Sequence, residues 1–194
     1  MPTPAIIDIG RIEILDLVTS AKGGKTASVF YKGDGGPVFW RPADVSVVFE
    51  PGTYSGEPAS RVDLVVRPNW ESRQHIEELD DFIVSYATEH SEQLFGKKLP
   101  RNEVQLRYNP CLKPNDKYEP TMKLKMNVGD PGTVRVWDAK GVKCPLPSKW
   151  KGATLSVVIR LKSLYFMPKA FGCVLDVTDV KCIDQPNEPE ACPF

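Results

Sequence analysis

The sequence predicts a mainly β protein with one long α-helix at about residues 70–95. Short apolar stretches recur along the chain, separated by turns rich in glycine and proline, of which the 194 residues contain 14 and 18. Only one segment has apolar residues at the three-and-four spacing of an amphipathic helix. The hydrophobic content of 41% can supply a substantial core. We therefore expect a single domain over residues 1–183 and a short acidic C-terminal tail over residues 184–194.

Four strands are predicted before the helix. Residues 5–18 are rich in isoleucine, leucine and valine and alternate in part, and residues 26–32 follow a turn with two glycines. Residues 38–49 predict a third strand that is interrupted or bent at Pro42. Residues 61–67 alternate along their length, which is typical of a strand with one buried face.

The predicted helix follows the fourth strand. Its apolar residues lie on one side, namely Ile76, Leu79, Phe82, Ile83, Tyr86 and Leu94. Asn69 is a suitable N-cap and Gly96 a suitable C-terminal stop. Residues 71–96 contain seven acidic residues against one basic residue, so we expect this helix to pack on the sheet and to present a solvated acidic outer face.

Five more strands are predicted after the helix, at residues 103–108, 121–128, 133–138, 153–166 and 171–183. Residues 138–141 and 167–170 have the composition of turns. The segment from Asp184 onward contains three prolines and no pattern of helix or strand. The order of elements is therefore β-rich, one helix, then β-rich again, with no internal repeat.

The charges are sorted along the chain, although the net charge is zero. Residues 97–181 contain 17 lysines and arginines against 7 aspartates and glutamates, whereas residues 1–70 are nearly balanced. A strongly basic half can attract a polyanion. The distribution therefore favours a nucleic acid as partner of the second half of the chain.

Strand parity concentrates these cations on one face, because successive side chains of a strand point to opposite sides. Lysines, arginines and aromatic rings lie opposite an apolar stripe in three strands, and more follow in the next turn. The predicted nucleic-acid-binding residues here are Lys123, Lys125, Arg135, Trp137, Arg160, Lys162, Tyr165 and Lys169. Cations that follow phosphates and rings that stack on bases are the features of single-strand binding. The alternative is a solvated outer face with its aromatic residues packed under a loop.

A second candidate patch flanks the glycine turn at residues 33–36. Phe39, Trp40 and Arg41 could contact bases as part of a hairpin. Their rings could equally be core aromatics at the end of a strand, and the sequence leaves both interpretations open.

Other classes of function lack support in the sequence. There is no phosphate-binding Gly-Lys-Ser/Thr loop, no Gly-x-Ser-x-Gly motif and no His-Glu-x-x-His motif, so we expect neither an enzyme nor a cofactor. Five widely spaced cysteines and two histidines make a metal site improbable. No apolar run reaches the length of a membrane span and no signal peptide is visible. We expect an intracellular protein with free thiols in a reducing compartment.

The second half of the chain resembles single-stranded DNA-binding proteins of T7-like phages, and similar proteins of large eukaryotic DNA viruses. The resemblance rests on four segments, Thr121–Met126, Val134–Gly141, Leu161–Phe166 and Phe171–Val180. It is best over residues 100–183 and weaker over residues 26–67. It implies an OB-like β-barrel with additional strands, a helix inserted between its strands, and an acidic tail that ends in an aromatic residue.

The resemblance also implies a function. We expect non-sequence-specific binding of single-stranded DNA in replication, recombination or repair, in the cytoplasm or nucleus of an infected cell if the protein is viral. A homodimer, and recruitment of replication or recombination proteins through tail residues Glu188, Glu190, Pro193 and Phe194, are further expectations. The tail is shorter and less acidic than the family pattern. The alternative function is that of a structural or assembly protein, such as a virion or coat β-sandwich with a basic face.

Overall fold

The computed structural model describes residues 3–21, 23–33, 35–53, 56, 59–130 and 132–184. A short 3-10 turn at Ile9–Arg11 precedes the first strand. The strands are β1 (Ile12–Ile14), β2 (Val18–Thr19), β3 (Lys25–Tyr31), β4 (Val38–Trp40), β5 (Val45–Val47), β6 (Arg61–Arg67), β7 (Tyr108–Asn109), β8 (Leu112–Lys113), β9 (Thr121–Asn127), β10 (Arg135–Trp137), β11 (Lys143–Cys144), β12 (Thr154–Phe166) and β13 (Phe171–Asp184). The helices are α1 (Trp70–Glu89), α2 (Ser91–Phe95) and α3 (Arg101–Gln105).

Five of these strands close into a barrel. Strand β5 pairs with β6, β6 with β9, β9 with β13, β13 with β12, and β12 returns to β5. All of these pairings are antiparallel except that of β9 with β13. A five-stranded barrel of this kind is OB-like, and it confirms the fold class that the sequence predicts.

The remaining strands extend the barrel. Strands β3 and β4 pair with β12, and β1 and β2 pair with β3. On the other side β10 runs parallel to β13 and carries β11 at its edge. Long strands β12 and β13 thus belong both to the barrel and to these extensions, which explains why they are the longest strands.

The barrel core follows from strand parity. In β9 the side chains of Met122, Leu124 and Met126 are fully buried, and they alternate with polar residues. Phe171 closes one end of the core, with ring centroids 5.0 Å from Tyr108 and 5.6 Å from Phe95. Burying a ring of this size contributes strongly to stability because it removes a large apolar surface from water.

Along the chain, the three helices come between the second and third barrel strands, β6 and β9. The side chain of Asn69 accepts a hydrogen bond from the backbone N–H of Ser72 at 2.9 Å, which confirms it as the N-cap of α1. The buried face includes Leu79 and Ile83. Gly96 ends α2 in the left-handed conformation with φ 76°, where a side chain would be strained.

Several predicted elements differ from the structure. Residues 103–108 do not form a strand, because residues 101–105 form α3 and pairing begins only at Tyr108. The single helix at 70–95 is divided at His90, where the backbone leaves the helical region. The predicted strand at 38–49 is two strands separated around Pro42, and that at 5–18 contains a 3-10 turn and two short strands. Among the described residues, none of the helices is both long and apolar enough to cross a membrane.

Candidate nucleic-acid interface

The outer face of barrel strands β6, β9, β13 and β12 carries most of the predicted cations. In β9, Lys123 and Lys125 point outward between the three buried apolar residues of the same strand. In β12, Arg160 and Lys162 alternate with buried Ile159 and Leu161. The parity that the sequence predicts for these two strands is therefore confirmed.

Aspartates lie on the same face, which the parity of single strands does not reveal. The antiparallel pairing of β6 with β9 places Asp63 opposite Lys125. The Nζ atom of Lys123 lies 3.1 Å from one Asp63 oxygen, and Lys125 donates to the other. Burial alone would raise the pKa of Asp63, but the hydrogen bonds and charges of Lys125 and Lys123 outweigh it and hold this pKa below its usual value.

Two more aspartates pair with cations in a similar way. Asp176 accepts a hydrogen bond from Arg61 and lies 3.6 Å from the Nζ atom of Lys162. Asp179 accepts hydrogen bonds from Arg135 at 2.7 Å and from the indole N–H of Trp137 at 3.4 Å. The half-exposed cations are thus held in place before any ligand binds, and a phosphate has to compete with carboxylates for them.

The outer face contains two clefts. The tyrosine cleft, of about 440 Å³, is lined by Asn109, Pro110, Cys111, Lys113, Lys123, Lys125, Tyr165, Cys173, Val174 and Leu175. The arginine cleft, of about 340 Å³, is lined by Lys125, Asn127, Gly132, Thr133, Arg135, Arg160, Lys162, Asp176, Val177 and Thr178. Lys125 lines both, so the two clefts adjoin across strand β9.

Arg160 is the cation with the most distinctive surroundings. Its guanidinium carbon lies 5.9 Å from the ring centroid of Phe39, the residue opposite it in strand β4. Its Nε atom is buried and has no hydrogen-bond partner among the described residues. A buried N–H without a partner is energetically unfavourable. The Nε atom is itself covered by protein, so what Arg160 offers to the arginine cleft is its positive charge.

Tyr165 is the aromatic residue that lines a cleft directly. Its ring is half-buried, and its hydroxyl accepts a hydrogen bond from Asn109 at 2.9 Å. The ring also packs beside Gly172, where an added Cβ would lie 3.2 Å from the Cε1 atom of Tyr165. Gly172 therefore leaves room for the ring at the floor of the tyrosine cleft.

The structure brings together six of the predicted binding residues as cleft-lining residues, Lys123, Lys125, Arg135, Arg160, Lys162 and Tyr165. Phe39 and Trp137 adjoin them through Arg160 and Asp179. Trp40 is not available as a nucleic-acid-binding residue: it is 3% exposed and faces inward in strand β4, which is the core position that the sequence left open as the alternative. The tail residues Glu188, Glu190, Pro193 and Phe194 lie outside the described residues.

Two other predicted residues do not line these clefts. Arg41 lines a separate pocket with Glu71, His75 and Lys181. Lys169 is exposed in the turn between β12 and β13, which is outside both clefts. Both are accessible to solvent, but the structure does not join them to the outer face of the barrel.

Three contributors to the face are not among the residues that the sequence predicts. They are Arg61, Lys113 and Asn109. Arg61 shares a face with Asp63 in strand β6, whose parity is visible in the sequence. Lys113 lies in a two-residue strand that pairs with β9, and Asn109 lies in another that pairs with β13. Strands this short have no periodicity that a sequence could reveal.

Comparison with known proteins gives a family and a fold. Residues 57–193 match the model of a family described as "Family of unknown function (DUF5871)". No curated protein matches the chain. The crystal structure of gp2.5, a single-stranded DNA-binding protein encoded by bacteriophage T7, is 14% identical, with a TM-score of 0.56 over 79% of this chain and 90% of that chain. This likeness confirms the fold that the sequence resemblance implied.

Two structures of the single-stranded DNA-binding protein from bacteriophage Enc34 also match this chain, with lower scores. The protein alone is 12% identical, with a TM-score of 0.49 over 92% of this chain and 93% of that chain. Its complex with single-stranded DNA is 13% identical, with a TM-score of 0.49 over 91% of this chain and 98% of that chain.

Proposed function

We propose that this chain, which belongs to the DUF5871 family, is a non-sequence-specific single-stranded DNA-binding protein. The observation that carries the proposal is the pair of adjoining clefts on the outer face of the barrel. They gather cations from four strands, and Arg160 lines one of them. Phosphate oxygens are the acceptors that such a set of ammonium and guanidinium groups fits.

The position of the clefts in the fold supports the same proposal. OB barrels bind oligonucleotides on the face of their second and third strands and with the neighbouring loops. Here these strands are β6 and β9, and Lys123 and Lys125 belong to the latter. The similarity to gp2.5, a single-stranded DNA-binding protein, is a likeness of fold and supports the choice of ligand.

Phosphate contacts contribute more than stacking in this proposal. Lys123, Lys125, Arg135, Arg160 and Lys162 follow the phosphates. Tyr165 offers an edge or face to one base, whereas the ring of Phe39 is already covered by Arg160. Binding that depends mainly on charge weakens steeply with salt, because each phosphate contact releases counterions.

A titration of fluorescent oligo-dT at two salt concentrations tests this function. The double variant Lys123→Gln with Lys125→Gln should weaken binding and reduce the slope of log K against log salt by about 1.4, or about 0.7 for each phosphate that is no longer neutralised. The matched control is Lys97→Gln with Lys98→Gln, two exposed lysines outside both clefts. Equal effects of the two double variants, or no salt dependence in the wild type, would contradict the proposal.

The place of this activity in DNA metabolism extends the proposal. A protein that coats single strands without sequence preference suits replication, recombination or repair. In this proposal the residues after Asp184, which include Glu188, Glu190 and Phe194, contact replication or recombination proteins and compete with DNA for the basic face. Removal of residues 185–194 should then tighten oligo-dT binding at low salt, and unchanged affinity would refute the competition.

A structural or assembly role is the second candidate, and one observation favours it. The cations of Arg61, Lys125 and Arg135 are already paired with aspartates, as on a face that needs no ligand. An assembly protein should form symmetric oligomers, and it should bind oligo-dT weakly at every length of the oligonucleotide. Size-exclusion chromatography with light scattering, with and without oligo-dT, separates the two functions and also determines whether the chain forms a homodimer.

A further inference from the structure

Two cysteines from distant parts of the chain meet at the floor of the tyrosine cleft. The Sγ atoms of Cys111 and Cys173 lie 3.0 Å apart, although 62 residues separate them in sequence. The cause is the parallel pairing of β7 with β13, which places Asn109 beside Gly172 and carries Cys111 alongside Cys173. Cys111 is buried, whereas Cys173 is half-buried and open to the cleft.

A carboxylate and a phenol complete this cluster. Asp80 accepts the backbone N–H of Cys111 at 3.1 Å on each of its oxygens, and it accepts the Tyr108 hydroxyl at 2.6 Å. The same hydroxyl lies 3.6 Å from the Cys173 sulfur. Asp80, Cys111 and Cys173 together offer three potential metal ligands within 4.8 Å of one another.

The geometry fits a pair of thiols better than a metal site. Two thiolates on a tetrahedral zinc ion lie about 3.8 Å apart, because each Zn–S bond is about 2.3 Å long. The observed separation of 3.0 Å is shorter than that. A metal would also have to displace the hydrogen bonds that Asp80 already accepts from Cys111 and Tyr108.

We propose that Cys111 and Cys173 are an oxidisable pair that forms an intramolecular disulfide when the protein meets a peroxide. A movement of about 1 Å brings the two sulfur atoms to bonding distance. The proposal does not depend on DNA binding, since it concerns the chemistry of the thiols alone. It assigns a modification site to residues that otherwise only line the cleft.

The reaction is balanced in two steps. Hydrogen peroxide oxidises the Cys173 thiol to a sulfenic acid and releases one water. The Cys111 sulfur then attacks the Cys173 sulfur, the S–O bond breaks, and the departing hydroxide takes up the Cys111 proton as a second water. The sum is two thiols and one peroxide giving one disulfide and two waters.

The surroundings of the pair assign the order of these steps. The hydrogen bond with Cys173, burial and the charge of Asp80 raise the pKa of Cys111, which keeps this thiol protonated and unreactive alone. Cys173 is the more exposed thiol and reacts first. Asp80 lies next to Cys111 and can pass the Cys111 proton to the departing hydroxide during the second step.

Mass spectrometry of the full chain tests the pair directly. Reduced protein in denaturant should take up five alkyl groups, one for each cysteine. After treatment with hydrogen peroxide it should take up three, and digestion should yield a peptide pair joined through Cys111 and Cys173. The double variant Cys144→Ser with Cys182→Ser should form the same link, and Cys173→Ser should not.

A second readout does not depend on the variants. The disulfide closes a loop of 62 residues, so oxidation of the wild type should raise the thermal unfolding midpoint by roughly 5–10 °C, reversibly with dithiothreitol. Sulfinic or sulfonic acid on Cys173 without a link would overturn the proposal. So would one equivalent of zinc, retained on purification, that protects both cysteines from alkylation.

Discussion

Replacing Asp63 by asparagine tests whether the outer face is a phosphate track. The Asp63 side chain is 17% exposed and forms ion pairs with Lys123 and Lys125. The side chains of these lysines are 42% and 44% exposed. Asp63→Asn removes one negative charge from between two ammonium groups and keeps a side chain of nearly the same shape. Both lysines can then bind phosphates without competition from a carboxylate, so we expect Asp63→Asn to bind DNA more tightly than the wild type does.

The size of the effect follows from the charges. A phosphate bound to both lysines would lie roughly 5–7 Å from the Asp63 carboxylate. Two like charges at this distance repel by about 0.6–0.8 kcal/mol in bulk water and about 2.4–3.3 kcal/mol at an effective dielectric of about 20, so about 1–2 kcal/mol applies to this partly exposed and salt-screened site. Oligo-dT should therefore bind about 5–30-fold more tightly to the variant. The slope of log K against log salt should change little, because Lys123 and Lys125 already meet phosphates in the wild-type complex.

Fluorescence anisotropy with oligo-dT at several salt concentrations measures both quantities. The matched control is Asp81→Asn, which makes the same change of charge in an aspartate of helix α1 that is paired with Arg101 of helix α3. The control should change affinity much less. If Asp63→Asn weakens binding, or if the two variants behave alike, the clefts are not the phosphate track. Unfolding in urea should show a loss of only about 1 kcal/mol for Asp63→Asn, because the lysines are partly exposed.

Three further predictions concern the core, the cleft and the buried carboxylate. Phe171→Ala should lower the free energy of unfolding in urea by about 3–5 kcal/mol, whereas Leu106→Ala, at a residue 86% exposed, should change it by about 0.5 kcal/mol or less. Tyr165→Ala should weaken oligo-dT binding by about 1–3 kcal/mol while Tyr165→Phe retains most of the affinity, and equal losses would exclude stacking. Burial raises the pKa of Asp80, so the folded state holds its proton more tightly than the unfolded chain. The extra stability that this proton gives is complete below about pH 4 and is lost as the pH rises through the raised pKa. In urea titrations from pH 4 to 7, the free energy of unfolding of the wild type should therefore fall relative to that of Asp80→Asn. A constant difference between the two would contradict this.

The sequence predicts long, regular elements of this fold well. Strand β9 and the two strands that form the β12–β13 hairpin have strong alternation, and their parity correctly separates Met122 from Lys123. Helix α1 has its N-cap where the sequence places it. The short elements α3 and β7 are not predicted, because elements of two to five residues contain too little periodicity.

The site is predicted only in part, for a different reason. Parity says which face of its own strand a residue occupies, but not what lies opposite on the next strand. Asp63 comes from a segment whose charges are balanced, yet the register of β6 against β9 places it between two lysines. The proximity of Cys111 to Cys173 likewise depends on a pairing of strands 62 residues apart. Long-range register is the information that a single sequence does not contain.

The aspartates that pair with the cations of the outer face lower the energy that a phosphate gains by binding there. A phosphate that reaches Lys125 or Arg135 replaces a carboxylate rather than water, so the protein exchanges one anion for another. The energy gained at each such contact is smaller than for a free cation, and the carboxylate is left unpaired. Arg160 differs, because no carboxylate pairs with it among the described residues. In the proposed function, Arg160 would therefore anchor the single strand, while the paired cations would make contacts that form and break readily.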